Sequence, residues 1–293
     1  MRPPDSSTRL APKRRKPRER SAPRRPAHAA VAMAKAPSGT QSVQRAVHVL
    51  REIATREPMG IRAADLAQRI GLQRPTVYRI LKGLLAQRML HQDAGTKCFH
   101  LGPLVYELGL AAESRATFRA PCHAAVVDLA RETGDCVYLI VRSGIESVCI
   151  DRAVGDFPVK TLLLDVGTRR PLGVGAAGIA LLLTCDDAEI DRVLAANAQS
   201  YAAYGHFSVE RLRATLAHSR KVGYGVNHDG VIDGVSGIGL AIQPHPGTPA
   251  VAAISLSGIT ARMAGAREPE VVQMLRARVR EVERELRALD RAG

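Results

Sequence analysis

The stretch AADLAQRIGLQRPTVYRILKGL, residues 63–84, reads as two amphipathic helices parted by a glycine. In the first, Leu66, Ala67 and Ile70 share one face. Gly71 suits the left-handed conformation that stops a helix. Pro75 suits the first turn of the next, where its missing N–H leaves nothing unpaired. Val77, Ile80, Leu81 and Leu84 then supply the buried stripe of the second helix. The stripe does not explain the other face, which carries Gln73, Arg74, Thr76, Tyr78, Arg79 and Lys82. A helix fits the major groove of duplex DNA, where Arg bonds guanine and Thr or Tyr reaches bases or phosphates. A preceding helix across a tight turn is the usual support for such a reader. The plainer alternative is a solvated face, because basic residues on one exposed helix mean little alone.

Upstream, SVQRAVHVLREIA places Val43, Ala46, Val47, Leu50 and Ile53 on one face of a helix, with Ser42 as its N-cap. Arg45 lies near the start of that helix, where a phosphate would meet both a charge and free N–H groups. Downstream, MLHQDAGTKCFHL (89–101) reads as a β-hairpin turning at DAGT, with Lys97 near its tip. Helix, helix, turn, helix and hairpin within about 60 residues favour the DNA reading over the bland one, with affinity dominated by phosphate contacts. LGPLVYELGLAAESRATFRAP (101–121) then forms a connecting helix closed by Pro121.

The pattern changes after residue 121. AAVVDLARETG, GAAGIALLLTC, DDAEIDRVLAAN and VERLRATLAHSRKVGYG read as helices, and a last one starts at EPEVVQ. CVYLIVRSGIESVCIDRAV reads as two strands around Ser-Gly, VKTLLLDVG as a third, and GVSGIGLAIQPHPGTPAVAAISLSG as two more around PHPGTP. Two hairpins imply a largely antiparallel sheet. Cys136, Tyr138 and Ile140 share one strand face and Val137, Leu139 and Val141 the other, so either side suits the core.

Composition bounds the function. The chain has 293 residues, 46% of them hydrophobic, enough for two domains, with no Trp and 3% aromatics. No apolar run reaches the roughly 18 residues needed to span a bilayer. Five scattered cysteines without a CxxC fit a reducing cytoplasm better than a disulfide framework. No Cys or His pair has zinc-ligand spacing, so no metal and no cofactor is expected. Of the net +14, residues 1–39 hold +9, from eleven Lys or Arg against two acids; the remainder is only +5. This Pro- and Arg-rich tail lacks apolar periodicity and reads as disordered, either a solvated tail or a source of non-specific DNA affinity. Met33 is an alternative start.

Several segments in one order resemble the IclR-type bacterial transcription regulators: SVQRAVHVL, DLAQRIGLQRPTVYRILKGLLAQRML, LGPLVYELG, LARETGDCVYL, VGTRRPLGVGAAGIALL, RKVGYGVN and AAISLSG, between Gln41 and Leu289. The resemblance implies an α+β chain. Its parts are a winged helix–turn–helix, a linker helix and a GAF-like effector-binding domain with a mainly antiparallel sheet. It also implies dimers joined through the N-terminal part, often paired into tetramers. By the same resemblance the effector pocket is lined by Gly175, Ala176, Ala177, Asn227, Gly237, Ser255 and Ser257. This chain departs from the family pattern there. Its PLGVGAAGIA replaces a PLHATALGKA-like motif, Asn227 stands where an acid is common, and Gly237 where many members have cysteine. A roomier, less polar pocket follows, suited to a larger carboxylate such as an aromatic one. Ser255 and Ser257, with N–H groups at the start of a helix over 176–184, would hold its polar end.

The expected layout is a tail over 1–39, the DNA-binding domain over 40–102, a linker helix over 103–120 and the effector domain over 121–293. The expected function is a cytoplasmic, ligand-responsive regulator that binds a double-stranded operator and a small organic acid. It would act as a homodimer or tetramer, without membrane contact. The rival is a metabolic enzyme whose N-terminal helices form a protein-interaction module; no catalytic nucleophile–base set supports it. GVGAAG (173–178) matches GxGxxG, but GTRRP intervenes between it and any preceding strand, so a dinucleotide site is not expected. Asn227, His228 and Asp229 read as a polar rim rather than a metal or acid–base site.

Overall fold

A computed structural model describes residues 40–113, 119–204 and 207–292. The basic tail expected over 1–39, and residues 114–118 of the expected linker, lie outside the described residues.

The N-terminal module comprises α1 (Gln41–Ala54), α2 (Ala63–Ile70), α3 (Arg74–Ala86) and the hairpin β1 (Leu90–Gln92) and β2 (Phe99–Leu101). Val49, Ile53, Leu66, Val77, Leu81, Leu90 and Phe99 make its core. Gly71 caps α2 at φ 64°, as its sequence position required. Two expectations for α1 fail. Ser42 lies inside the helix, whose cap position is Thr40. Val43 and Val47 are 66% and 40% exposed, because the core meets only the C-terminal half of α1. There Glu52, buried, pairs with Arg69 of α2. The wing is tied back at both ends. Glu57 accepts from the Leu101 N–H at 2.8 Å and contacts His100 at 3.1 Å, and Arg62 donates to the Thr96 carbonyl at 3.2 Å.

Beyond α4 (Pro103–Glu113), α5 (Arg119–Thr133) runs straight through Pro121. Pro121 therefore closes nothing, because the helix continues past it to Thr133. Next come β3 (Cys136–Ser143), β4 (Glu146–Val154), β5 (Arg169–Pro171), α6 (Ala176–Leu182), α7 (Asp187–Tyr201), a 3-10 turn at Ala202–Tyr204 and α8 (Val209–Val222). β6 (Gly225–His228), β7 (Val235–Ile242), β8 (Ala252–Ile259), α9 (Thr260–Met263) and α10 (Arg267–Ala292) complete the chain. One six-stranded sheet, wholly antiparallel, runs β5-β4-β3-β8-β7-β6. Both faces of β3 are core. Cys136, Tyr138 and Ile140 pack beneath α6, α7 and α8, and Val137 and Leu139 beneath α5 and α10.

VKTLLLDVG is not a strand. The backbone carbonyl of Thr161 accepts from the Tyr138 hydroxyl (2.6 Å), and its side chain bonds Ser257 (2.8 Å). Those bonds peg the segment flat on the face of the sheet rather than at its edge. A buried Asp135 holds the far end of the domain. It accepts from Arg262 Nε (3.0 Å) and Arg267 Nη2 (2.8 Å), and both arginines also reach the last carbonyl of α5.

Glycines set how close α6 lies to the sheet. A Cβ at Gly239 would meet the Ala176 carbonyl carbon at 2.7 Å, and one at Gly225 would meet the Ala180 nitrogen at 2.7 Å. The glycines of GVGAAG shape the turn into α6 instead: Gly173 and Gly175 have φ of 101° and 84°, and a Cβ at Gly178 would lie 2.8 Å from the Gly173 nitrogen. Gly225→Ala forces backbone against backbone, so a loss of about 1–3 kcal/mol is expected, read as a lower urea midpoint. An unchanged midpoint would contradict this packing.

Candidate functional site

Two places gather side chains that the fold does not use. The first is the outer face of α3. Val77 and Leu81 pin the helix to the core, while Gln73, Arg74, Tyr78, Arg79 and Lys82 are exposed and Thr76 is half-buried. Tyr78, a large apolar ring, is 56% exposed. Among the described residues no acid pairs with Arg74, Arg79 or Lys82, whereas many arginines of the C-terminal half do have carboxylate partners. Arg45 is half-buried on α1. Lys97 is exposed at the wing tip at φ 61°, in a turn that Asp93 caps through the Thr96 N–H at 2.7 Å. Arg62, exposed beside that turn, joins the same basic surface and was missed because it belongs to neither helical stripe.

The second is a cavity between the sheet, the start of α6, the segment 163–170 and the turn before β7. Every residue expected at the pocket lines it: Gly175, Ala176, Ala177, Asn227, Gly237, Ser255 and Ser257. Their chemistry differs from expectation in three ways. Ser257 is not free to hold a ligand, since Thr161 occupies its hydroxyl. Gly237 adds no side chain to the wall, and a Cβ there would crowd the Leu256 carbonyl oxygen at 3.1 Å. The helix begun at Ala176 ends at Leu182, only seven residues on, too short to lend the expected N-terminal field.

The space enclosed is about 50 Å³, tighter than the small residues at 175–177 suggested. The pegged segment carrying Leu163 and Leu164 and the side chain of Arg170 take up the room. Sequence reasoning also missed Tyr138, Cys149 and Arg170 in this lining. The two arginines of β5 held the signal, since adjacent residues on a strand point to opposite sides and one of them must point in. Burial pushes the Tyr138 phenol and the Cys149 thiol each up to about 12.

Among the described residues no cluster of metal-binding side chains occurs, and no helix is long and apolar enough to cross a membrane.

The family described as bacterial transcriptional regulator IclR C-terminal matches residues 111–284, and the IclR helix-turn-helix domain matches residues 42–94. The probable transcriptional regulator SauR of Cupriavidus necator is 29% identical over 201 residues, covering 68% of this chain and 79% of that protein. The HTH-type transcriptional repressor AllR of Escherichia coli K12 is 26% identical over 251 residues, covering 84% and 90%. An IclR homolog from Microbacterium hydrocarbonoxydans, solved with 4-hydroxybenzoate, superposes with a TM-score of 0.66 at 23% identity, covering 84% and 99%. Both family matches and the names of SauR and AllR are those of transcriptional regulators, which removes the enzymatic rival.

Cysteine chemistry gives a check on this packing. Cys122 and Cys149 are buried with their thiols pushed from 9.0 up to about 12 by desolvation, while Cys98 is half-buried in the hairpin. A thiol raised in the folded state stays protonated well above pH 8, and only the thiolate reacts. With iodoacetamide at pH 8 the native protein is expected to gain one adduct, at Cys98. Labelling of Cys122 or Cys149 should need denaturant; their fast native labelling, read by peptide mass, would contradict the burial.

Proposed function

The chain belongs to the IclR family of bacterial transcriptional regulators, and on that premise we propose that α3 reads an operator while the cavity of the second half senses a small organic acid. The observation that carries the reading is the unpaired basic face of Arg74, Arg79 and Lys82 on a helix whose opposite side is fully committed to the core. Arg79 and Arg74 suit guanine edges; Gln73, Thr76 and Tyr78 suit bases or phosphates; Lys82, Arg45 and the wing residue Lys97 suit the backbone. Residues 40–102 then form the DNA-binding domain, 103–120 the linker and 121–293 the effector domain.

Exposed Val43 and Val47 on α1, with Tyr106, Leu108 and Leu110 on α4, supply an apolar surface for a dimer through the N-terminal part, and dimers pair into tetramers. The protein works in the cytoplasm, where its DNA is. Repression is the working sign, because AllR is named a repressor. In the cavity, Ser255 and Asn227 offer the polar contacts, with Gly175, Ala176, Ala177 and Gly237 shaping the wall. An aromatic acid is the second reading, favoured by the 4-hydroxybenzoate complex of the Microbacterium protein. It requires the Leu163–Leu164 segment to swing outward, since an engineered cavity that takes benzene measures about 150 Å³. The effector regulates by population shift, binding one arrangement of the paired α3 helices more tightly than the other.

A gel shift with the intergenic DNA upstream of the gene tests this. Wild type should give a sequence-selective complex that weakens steeply with salt. Arg79→Ala should weaken it about tenfold, the cost of one lost base contact, with no change in unfolding midpoint because the side chain is exposed. Wild-type binding by that variant would remove α3 as the reader. Ser255→Phe should fill the cavity and abolish the ligand response while sparing DNA binding; an intact response would place the effector elsewhere.

A further inference from the structure

β5 sets Arg169 and Arg170 side by side and sends them to opposite sides. Arg169 is matched. Its Nε and Nη2 reach Glu146 Oε2 at 3.0 and 2.8 Å, and Nη2 also donates to Ser143 at 2.8 Å. Arg170 is not. It lines the cavity, where its Nη2 donates to the Leu163 carbonyl at 2.9 Å and its guanidinium lies 5.9 Å from the Tyr204 ring centre. Among the described residues no carboxylate lies within ion-pair range of it. The titratable groups that face it, among the described residues, are Tyr204, Tyr138 and Cys149. All three are pushed up by burial, Tyr138 and Cys149 to about 12, so at neutral pH none supplies a negative charge.

A guanidinium does not escape this position by losing its proton. Arg170 is half-buried, and a partly desolvated charge with no carboxylate partner is costly to keep; a fold retains one where something else brings the counter-charge. Ser255 and Asn227 also line the cavity and supply neutral polar groups there.

We propose that Arg170 anchors the carboxylate of the effector and makes this pocket select acids over their neutral analogues. The inference rests on the cavity being the effector site. A carboxylate accepts two N–H bonds from a guanidinium in one plane, a match that a neutral amide of the same shape does not reproduce. At about 50 Å³, the closed cavity takes a compact acid. The same guanidinium holds the Leu163 carbonyl, so capture of the anion and the position of the 161–165 segment are mechanically tied.

The test compares wild type, Arg170→Met and Arg170→Lys as full chains. The ligands are lactate, benzoate and 4-hydroxybenzoate, each beside its primary amide, with melting temperature and calorimetric affinity as readouts. Ligand-free Arg170→Met is expected to melt no lower than wild type, because losing a charge with no carboxylate partner offsets the lost bond to the Leu163 carbonyl and the bulk is kept. At least one acid should stabilise wild type while its amide does not. Arg170→Met should lose at least about tenfold in affinity for that acid, as expected for a hydrogen bond to a charged group, and with it the acid-over-amide preference. Arg170→Lys should recover part of both. Equal stabilisation of wild type and Arg170→Met by the same acid would overturn the anchor and leave the effector site standing. A ligand-free melting temperature that falls by several degrees in Arg170→Met would make Arg170 a structural tie and also overturn it. If no acid of the series stabilises wild type, or the amides bind as well, the reading of the cavity as an acid sensor falls too.

Discussion

The sensing half of the molecule depends on one close approach. α6 lies against β6 and β7 at a distance that only glycine permits at Gly225 and Gly239, and Gly237 keeps the neighbouring position thin. That contact fixes where Ala176 and Ala177 stand. It thereby sets one wall of the cavity, whose other wall is the sheet carrying Ser255 and Tyr138 side by side in register. The segment through Thr161 closes the space because its polar groups bond to Tyr138 and Ser257 rather than to a neighbouring strand. The bonds that peg it also use up one serine that a ligand would otherwise meet. The cavity is therefore small and polar at a few points, with Arg170 the single cation among the described residues that line it.

In the reading half the governing constraint is a division of labour across one short helix. α3 has thirteen residues. Its inner face commits Val77 and Leu81 to a core shared with α1, α2 and the hairpin, which holds the helix rigid. Its outer face is left with charge and, among the described residues, no acid to meet it. Most of the net charge of the chain lies elsewhere, in the first 39 residues. What distinguishes α3 is thus the absence of local neutralisation rather than the basicity of the whole.

Much of this was legible in the sequence. Gly71, Pro75 and a 3.6-residue period gave the helix pair and its turn. The Ser-Gly and PHPGTP turns gave the two hairpins. The small residues at 175–177 pointed to the helix beside the cavity. What escaped was decided by tertiary contacts. Leu162–Leu164 reads as a strand by its run of apolar residues, yet Tyr138 and Ser257 hold the segment on the sheet face. Val43 and Val47 keep helical period with Ile53, but the core reaches only half of α1. β6 is four residues long and lies hidden behind a Gly-Tyr-Gly turn signal. Pro121 reads as a stop, yet α5 continues past it. Arg170 looked like half of a basic doublet until the pleat of β5 separated it from Arg169.

The two halves make a regulator only if occupancy of one changes the other, and such coupling is reciprocal: if the acid alters operator affinity by some factor, the operator alters acid affinity by the same factor. The most direct measurement is calorimetric titration of the stabilising acid into the free protein and into protein saturated with operator DNA. The account requires unequal acid affinities in the two titrations, in the ratio by which the acid shifts operator binding. Identical affinities would mean that the cavity and α3 do not communicate, and would contradict it.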